Sequence, residues 1–335
     1  MATTFYDQIG QNKRNSFLLA LLVVVILGLL GLLIGWAVTG DPRAAVPSIV
    51  IAVTIGLVAS LISYYAGSAI VLASSGAKEV DAQSAPQLIN VVQEMSLAAG
   101  VPMPKVYLIN EPAPNAFATG RDPQHASVAI TTGLLQKLTR EELQGVMAHE
   151  LSHVRNFDIR FSLMVGVLVG SIALMADLFL RFSFFGGGRR SNDRDSGGGG
   201  GIQILIFVLA ILFAILAPIA ARLVQLAVSR QREYLADASG VELTRNPVGL
   251  ERALAKIALD PEPLKEANRA TQHLYFENPV KGVSDRSSSL FSTHPPVLDR
   301  INRLRALASQ APVATPAAVL DTATQAAAPA GLRPI

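Results

Sequence analysis

The hydrophobic residues of this chain are concentrated in four long blocks. The blocks cover residues 15–40, 46–73, 161–180 and 202–221. A helix needs about 20 apolar residues to cross a bilayer core of ~30 Å, so each block is predicted to be a transmembrane helix. Two alternatives stay open. Lys13 and Arg14 ahead of the first block are also typical of a signal peptide. The third block, which Asp177 interrupts, is alternatively a buried hairpin against the polar part of the chain.

The order of these blocks predicts the domain organisation. The predicted segments are an N-terminal stretch at 1–14, a transmembrane hairpin at 15–76, the first part of a polar domain at 77–160, a second hairpin at 161–228 with a glycine-rich loop at 186–201, the second part of the domain at 229–309, and a tail at 310–335. The tail is rich in alanine and proline and is predicted to be disordered.

Basic residues beside the blocks predict the orientation in the membrane. Lys13 and Arg14 precede the first block, whereas the loop of the first hairpin has only Arg43. The N-terminus and both polar regions are therefore expected in the cytoplasm. A set of arginines in the loop assigned to the outside opposes this orientation: Arg181, Arg189, Arg190 and Arg194.

The two polar regions show shorter periodic patterns. The stretch "APQLINVVQEMSLAAG" predicts an amphipathic helix that Gly100 closes. The stretches "KVYLI", "AFATG" and "SVAIT" predict short strands. Thr139 and Glu142 form a capping box at the start of a further helix, and the region from 229 to 309 is predicted to be mostly helical. The fold class is therefore an α-helical integral membrane protein with a small α+β cytoplasmic domain.

Composition supports a membrane protein and excludes other classes. Half of the 335 residues are hydrophobic and 16% are charged, whereas soluble domains have about 25% charged residues. The chain has no cysteine, so disulfides are excluded and any zinc site must use histidine and carboxylate ligands. A net charge of +3 without basic–aromatic runs gives no reason to expect a nucleic-acid partner.

The sequence "HELSH" lies within the capped helix. Residues four positions apart share one face of a helix, so His149 and His153 can bind a single ion. Glu150 then lies beside the open coordination position, where a carboxylate can take a proton from water. A catalytic zinc needs one further protein ligand. The alternative is a pair of solvated surface histidines.

The sequence "EYLAD" offers the missing ligand, because Glu233 and Asp237 also share a helical face. Glu233 is the expected third ligand, and Asp237 can accept the outer N–H of a ligating histidine and so fix its tautomer. Taken alone, the pattern is that of a charged helix face. Two predicted crossings separate Glu233 from the histidines, which places them on one side of the membrane.

The chain resembles the HtpX-type membrane zinc endopeptidases, relatives of the CAAX prenyl endoprotease. The resemblance extends from the first hairpin to about residue 307 and rests on "HELSH", "EYLAD", "NAFATG" and "STHPPVLDRI". It implies a zincin-like HExxH domain and one Zn²⁺ ion per chain. The implied ligands are His149, His153 and Glu233, with Glu150 as general base and Asp237 as their support. It also implies a bacterial inner membrane, a site facing the cytoplasm, and stress-related removal of damaged membrane proteins.

The resemblance further implies residues that contact the substrate. Asn115, Ala116 and Phe117 match a strand that lies beside bound peptide, and such a strand can hold an extended chain by strand addition. The alternative for Asn115 is that it shapes a turn after "EPAP". His294 and Arg300 match positions near the scissile carbonyl, where an imidazole can stabilise the oxyanion.

Other interpretations of the remaining polar residues stay open. His294 is followed by two prolines, which favour a rigid turn, and Arg300 opens a basic amphipathic helix that suits solvent or lipid headgroups. His125 and His273 match no motif and are expected in surface loops.

The expected function is a membrane-embedded zinc endopeptidase that acts on protein substrates within a lipid bilayer. Water activated by zinc would hydrolyse the peptide bond, with Glu150 as general base. The alternative from another class is a noncatalytic scaffold or transporter with a structural zinc, which the intramembrane Asp177 favours. A prenyl-protein processing enzyme is a second alternative, but four spans do not provide the larger helical chamber expected of it.

Overall fold

The computed structural model describes residues 24–36, 46–163, 232–262 and 295–321, with isolated positions at 14, 18, 21, 41, 43, 177, 207, 208, 210–212, 215, 216 and 230. The chain divides into two compact units. One unit combines Met1–Gly67 with Leu163–Gln225, and the other combines Ser68–Ser162 with Leu226–Ile335.

Two apolar helices are described in the first unit, α1 (Val24–Trp36) and α2 (Val46–Ser74), the second of which continues to the start of the second unit. Within the described residues, α2 alone is long and apolar enough to cross a membrane. A Cβ added to Gly31 of α1 would lie 2.7 Å from the backbone oxygen of Ser48, so the two helices pack closely. The prediction of a helix over the second block is confirmed, while most residues of the third and fourth blocks lie outside the described residues.

The second unit combines one sheet with several helices. Its main described elements are β1 (Lys78–Glu79), α3 (Pro86–Ala99), β2 (Lys105–Ile109), β3 (Ala116–Gly120), β4 (Ala126–Thr131), α4 (Thr132–Lys137), α5 (Arg140–Arg155), α6 (232–244), α7 (Pro247–Leu259) and α8 (Val297–Leu307), with a short 3-10 helix at Pro123–His125 and further helical residues at 158–163 and 317–321. The strand order is β1-β2-β4-β3. The pairing of β2 with β4 is parallel, and the other two pairings are antiparallel. Among the described strands, β3 therefore lies at an edge of the sheet.

The predicted elements of the first polar region are present. The predicted helix forms α3, which ends at Gly100 in the left-handed conformation with φ 65°, and the three predicted strands are β2, β3 and β4. Strand β1 and helix α4 were not predicted. Strand β1 has two residues and α4 has six, so both are too short to show a hydrophobic period.

Helix α5 lies at the centre of the hydrophobic core and packs against α3, α7 and β3. Its start is fixed by the predicted capping box, in which the Thr139 hydroxyl accepts from the Glu142 N–H and the Glu142 carboxylate accepts from the Thr139 N–H. From Leu143 to Ser152 nearly every side chain is buried. Such burial holds the middle of the helix, and the polar residues on it, in a fixed position.

We expect Gly145→Ala to destabilise the protein, although alanine is normally favoured over glycine in a helix by about 1 kcal/mol. A Cβ at Gly145 would lie 2.7 Å from the backbone nitrogen of Leu250 and 2.9 Å from its Cα, so α7 must move away from α5. Overpacking of this kind costs about 1–3 kcal/mol. The measurement is thermal unfolding of the full chain in detergent. Gly28→Ala is the control, because its Cβ would make an ordinary 3.6 Å contact; equal melting temperatures for the two variants and the parent would contradict the expected packing.

The prediction of a disordered tail at 310–335 is wrong for residues 310–321. Val319 is 2% exposed and belongs to the hydrophobic core. The Asn302 side chain makes two hydrogen bonds with the backbone of Val313, and Arg305 donates to the carbonyl of Ala311. Apolar burial and side-chain bonds from α8 therefore order this segment despite its simple composition. Residues 322–335 lie outside the described residues.

Candidate metal centre

Helix α5 places His149 and His153 one turn apart on the same face. Their Nε2 atoms are 3.1 Å apart, and the two rings lie nearly perpendicular, at 87°. His149 is buried and His153 is partly buried. The alternative of two solvated surface histidines is therefore wrong.

Helix α6 brings a carboxylate to this pair. Glu233 Oε2 lies 3.7 Å from His149 Nε2, and Glu233 Oε1 lies 3.5 Å from His153 Nε2. The helices approach closely here, because a Cβ added to Gly240 of α6 would be 3.2 Å from the backbone nitrogen of His149. Among the described residues, these three offer donor atoms within 4.8 Å of one another.

The donor set fits a zinc ion. Two nitrogen ligands and one carboxylate oxygen form a usual catalytic zinc site, with distances of about 2.0–2.2 Å to the ion. In tetrahedral geometry, ligand atoms at those distances are about 3.3 Å apart. The two nitrogens are 3.1 Å apart, and they lie 3.5 and 3.7 Å from different oxygens of Glu233, so that one atom from each residue falls within 4.8 Å of the others. The three side chains can therefore share one ion with small adjustments.

The first histidine, His149, lies against the carboxylate of Asp237, which in turn is bound by Arg300. Asp237 Oδ1 lies 2.9 Å from His149 Nδ1, as the sequence predicts for a residue that fixes the tautomer. Arg300 donates two hydrogen bonds to Asp237, at 2.9 and 2.7 Å. Burial lowers the pKa of His149 to about 4, so the imidazole is neutral near pH 7, as a metal ligand must be. Burial alone would raise the pKa of Asp237, but Arg300 and His149 hold it below its usual value.

The second histidine is held by Asp158, which sequence reasoning missed. Asp158 Oδ2 lies 3.1 Å from His153 Nδ1. Burial opposes protonation of His153, but the carboxylates of Asp158 and Glu233 raise its pKa well above the usual value. A cation that binds at Nε2 replaces the proton there. The one available signal was an aspartate five positions after His153, just past the end of α5.

Glu150 is buried next to the two histidines on α5. Burial raises the pKa of its carboxyl group to about 7. The backbone of Ala118 in β3 lies near this carboxylate and partly offsets the rise in its pKa. The predicted base therefore lies on the side of α5 that packs against β3.

The predicted substrate residues lie at the start of β3. Asn115 Oδ1 accepts from the Ala116 N–H at 2.9 Å, and the Asn115 N–H donates to the Thr131 hydroxyl at 2.9 Å. These bonds are typical of a residue that shapes the entry to a strand. The side chains of Ala116 and Phe117 are buried in the core. Their contact with a peptide would therefore come from the backbone.

The remaining predicted residues differ in their placement. Arg300 is 1% exposed, so the alternative of a solvated or lipid-facing side chain is wrong. Its charge is compensated by Asp237 and by Glu233, whose Oε2 lies 3.5 Å from Arg300 Nη1. His294 and His273 lie outside the described residues. His125 is exposed in a short turn, where its Nδ1 is 2.7 Å from Asp122.

The chain is similar to known peptidases and proteases. The profile of Peptidase family M48 matches residues 82–308. The protein "Protease HtpX homolog" of Ligilactobacillus salivarius is 46% identical over 299 residues, which cover 89% of this chain and 98% of that protein. The protein of the same name from Streptococcus uberis is 44% identical over 300 residues, which cover 90% and 99%. The crystal structure of S. mikatae Ste24p is 19% identical with a TM-score of 0.43, and the match covers 88% of this chain and 66% of that one.

The matched family and the helix-borne histidines and carboxylates define a membrane-associated metallopeptidase. The chain belongs to peptidase family M48. The predicted resemblance to HtpX-type proteases is confirmed.

Proposed function

We propose that the protein is a zinc-dependent endopeptidase, embedded in a membrane, that hydrolyses peptide bonds of membrane proteins, including misfolded or damaged ones. The observation that carries the proposal is the meeting of His149, His153 and Glu233 beside the buried carboxyl of Glu150. A structural zinc in a noncatalytic scaffold would need a fourth protein ligand. The described residues offer a group of three, which favours an open site.

Some residues of the site would bind the metal, and another would transfer protons during hydrolysis. His149, His153 and Glu233 would hold the ion, and Asp237 would keep Nε2 of His149 directed at it. When bound, zinc polarises the peptide carbonyl and lowers the pKa of water. Glu150 takes a proton as the water oxygen attacks the carbonyl carbon. It then delivers a proton to the amine nitrogen as the C–N bond breaks, so no covalent enzyme intermediate forms.

The edge position of β3 supports a way to bind an extended peptide. Strand β3 pairs with β4 along one side, and the described residues place no strand along its other side. A substrate can add there as a further strand through backbone hydrogen bonds. Asn115, Ala116 and Phe117 would then position the peptide beside Glu150, which lies near Ala118 of the same strand.

Two further residues complete the proposed site. His294 would donate to the developing oxyanion as the carbonyl is attacked. Arg300 stays a predicted substrate contact near the scissile carbonyl. Its described partners are Asp237 and Glu233, so it would act there together with those carboxylates.

The proposed setting is a bacterial inner membrane, with the site facing the cytoplasm. The long apolar helix α2 supports membrane insertion, and the four apolar blocks of the sequence support two transmembrane hairpins, at 15–76 and 161–228. The polar domain would then be assembled from residues 77–160 and 229–309.

We expect metal removal to abolish proteolysis reversibly. The full chain in detergent is treated with 1,10-phenanthroline, dialysed, and assayed with an unfolded test protein such as casein. Cleavage should fall to background, because Glu150 alone cannot activate water, and one equivalent of zinc should restore it while magnesium should not. Unchanged cleavage by protein with no measurable metal would overturn the proposed chemistry.

A further inference from the structure

We propose that Asp158 and Arg232 are positioning residues that hold His153 with its Nε2 directed at the metal. The inference rests on the metal site proposed above. Asp158 Oδ2 lies 3.1 Å from His153 Nδ1, and Asp158 Oδ1 lies 3.3 Å from Arg232 Nη1. The two oxygens of one buried carboxylate thus face a histidine and an arginine from different helices.

The backbone places Asp158 for this contact. Helix α5 ends at Arg155, and Phe157 then adopts a left-handed conformation with φ 61°. Bulky side chains rarely occupy this region, so the turn is kept by its surroundings. It brings Asp158 back towards His153.

The position of Arg232 is fixed by an aromatic ring and by its place in α6. Its guanidinium carbon lies 3.6 Å from the centre of the Phe161 ring, and the side chain is buried. Arg232 directly precedes Glu233, so the same turn of helix carries both the arginine and the proposed third ligand. A planar guanidinium can stack on the ring and face a carboxylate at once, which a lysine ammonium does less well.

The arrangement at His153 has the same chemistry as the one at His149. Asp237 lies against Nδ1 of His149 and is bonded to Arg300. In both cases a carboxylate lies within 3.1 Å of Nδ1, where it favours a proton on that nitrogen and so leaves the lone pair of Nε2 free for a metal. An asparagine at 158 can instead donate to Nδ1, which favours the tautomer with a proton on Nε2. That tautomer cannot bind the ion.

The test measures metal binding, apart from catalysis. The full chain in detergent is stripped of metal, and its zinc affinity is measured by competition with a chromogenic chelator. Asp158→Asn should lower the affinity ~10–100-fold and change the visible spectrum of bound Co²⁺, and Arg232→Lys should lower it less. Asp122→Asn is the matched control, because Asp122 also lies beside a histidine nitrogen, at 2.7 Å, but in an exposed turn. It should bind zinc like the parent.

A second variant separates positioning from folding. Asp158→Asn leaves Arg232 buried without its carboxylate, so the double variant Asp158→Asn/Arg232→Met is measured too, with melting of the metal-free proteins. Weaker zinc binding with a cooperative melting transition supports the proposal. The proposal is overturned if Asp158→Asn or the double variant has the zinc affinity and cobalt spectrum of the parent. It is also overturned if both variants lose the cooperative melting transition.

His153→Ala distinguishes this proposal from the metal site itself. If His153→Ala weakens binding and Asp158→Asn does not, the positioning role alone is wrong. If His153→Ala also binds zinc like the parent, the proposed site is wrong.

Discussion

Glu150→Gln is expected to retain zinc and lose proteolysis. Glutamine fills the same space next to the two histidines but cannot take a proton from water. General acid–base catalysis contributes about 10²–10⁴-fold, so kcat should fall within that range. KM should change little, because the expected loss is confined to proton transfer. The measurements are steady-state cleavage of an unfolded protein and bound zinc per chain.

The matched control for this variant is Glu141→Gln, on the first turn of the same helix. Glu141 is exposed, so the same chemical change there should leave cleavage and zinc content at parental values. Full activity of metal-loaded Glu150→Gln would refute Glu150 as the base. Loss of zinc in that variant would instead assign Glu150 to metal retention.

Glu233→Ala is expected to lose both the metal and cleavage. Without Glu233 the ion would keep two of the three proposed ligands, and Arg300 would lose one of the two carboxylate partners that the described residues give it. Changes to groups that only support metal ligands cost ~10–100-fold in affinity, so loss of a ligand should exceed that range. Zinc affinity by chelator competition and cleavage with added zinc are measured together.

Glu242→Ala controls for the removal of a glutamate from α6. Glu242 lies on the same helix and is exposed, so this variant should bind zinc and cleave substrate like the parent. Parental zinc affinity in Glu233→Ala would exclude Glu233 as a ligand. If Glu233→Ala keeps the parental zinc affinity but loses cleavage, Glu233 has a catalytic role other than metal binding.

Much of the site could be predicted from local spacing. The positions of His149 and His153 follow from helical periodicity, and the capping box fixes the register of that helix. Glu233 and Asp237 also share a helical face, so the sequence predicted which carboxylates would meet the histidines. The strands were predictable because each is short, apolar and bounded by Pro, Asn or Gly.

The residues that sequence reasoning missed depend on contacts between distant segments. Asp158 reaches His153 through a left-handed turn at Phe157, a conformation that no residue preference predicts for phenylalanine. The burial of Arg300 depends on Asp237, 63 positions earlier. A basic helix pattern alone predicts that the arginine is exposed to solvent, because the local sequence does not show the buried carboxylate that pairs with it.

The C-terminal segment shows the same limit of local patterns. Alanine and proline between 310 and 321 are typical of disorder, but Val319 fills a place in the core and the side chain of Asn302 bonds the backbone of Val313. Only the tertiary partners distinguish this segment from a solvated tail.

We expect one ion to be shared by two imidazoles of α5 and one carboxylate of α6. Anomalous diffraction at the zinc absorption edge, on crystals of the full chain loaded with one equivalent of zinc, tests it most directly. The expected result is a single strong peak per chain, about 2.0–2.2 Å from Nε2 of His149, Nε2 of His153 and a carboxylate oxygen of Glu233. A peak at other residues in a preparation that cleaves protein, with these three side chains bound to no metal, would contradict it.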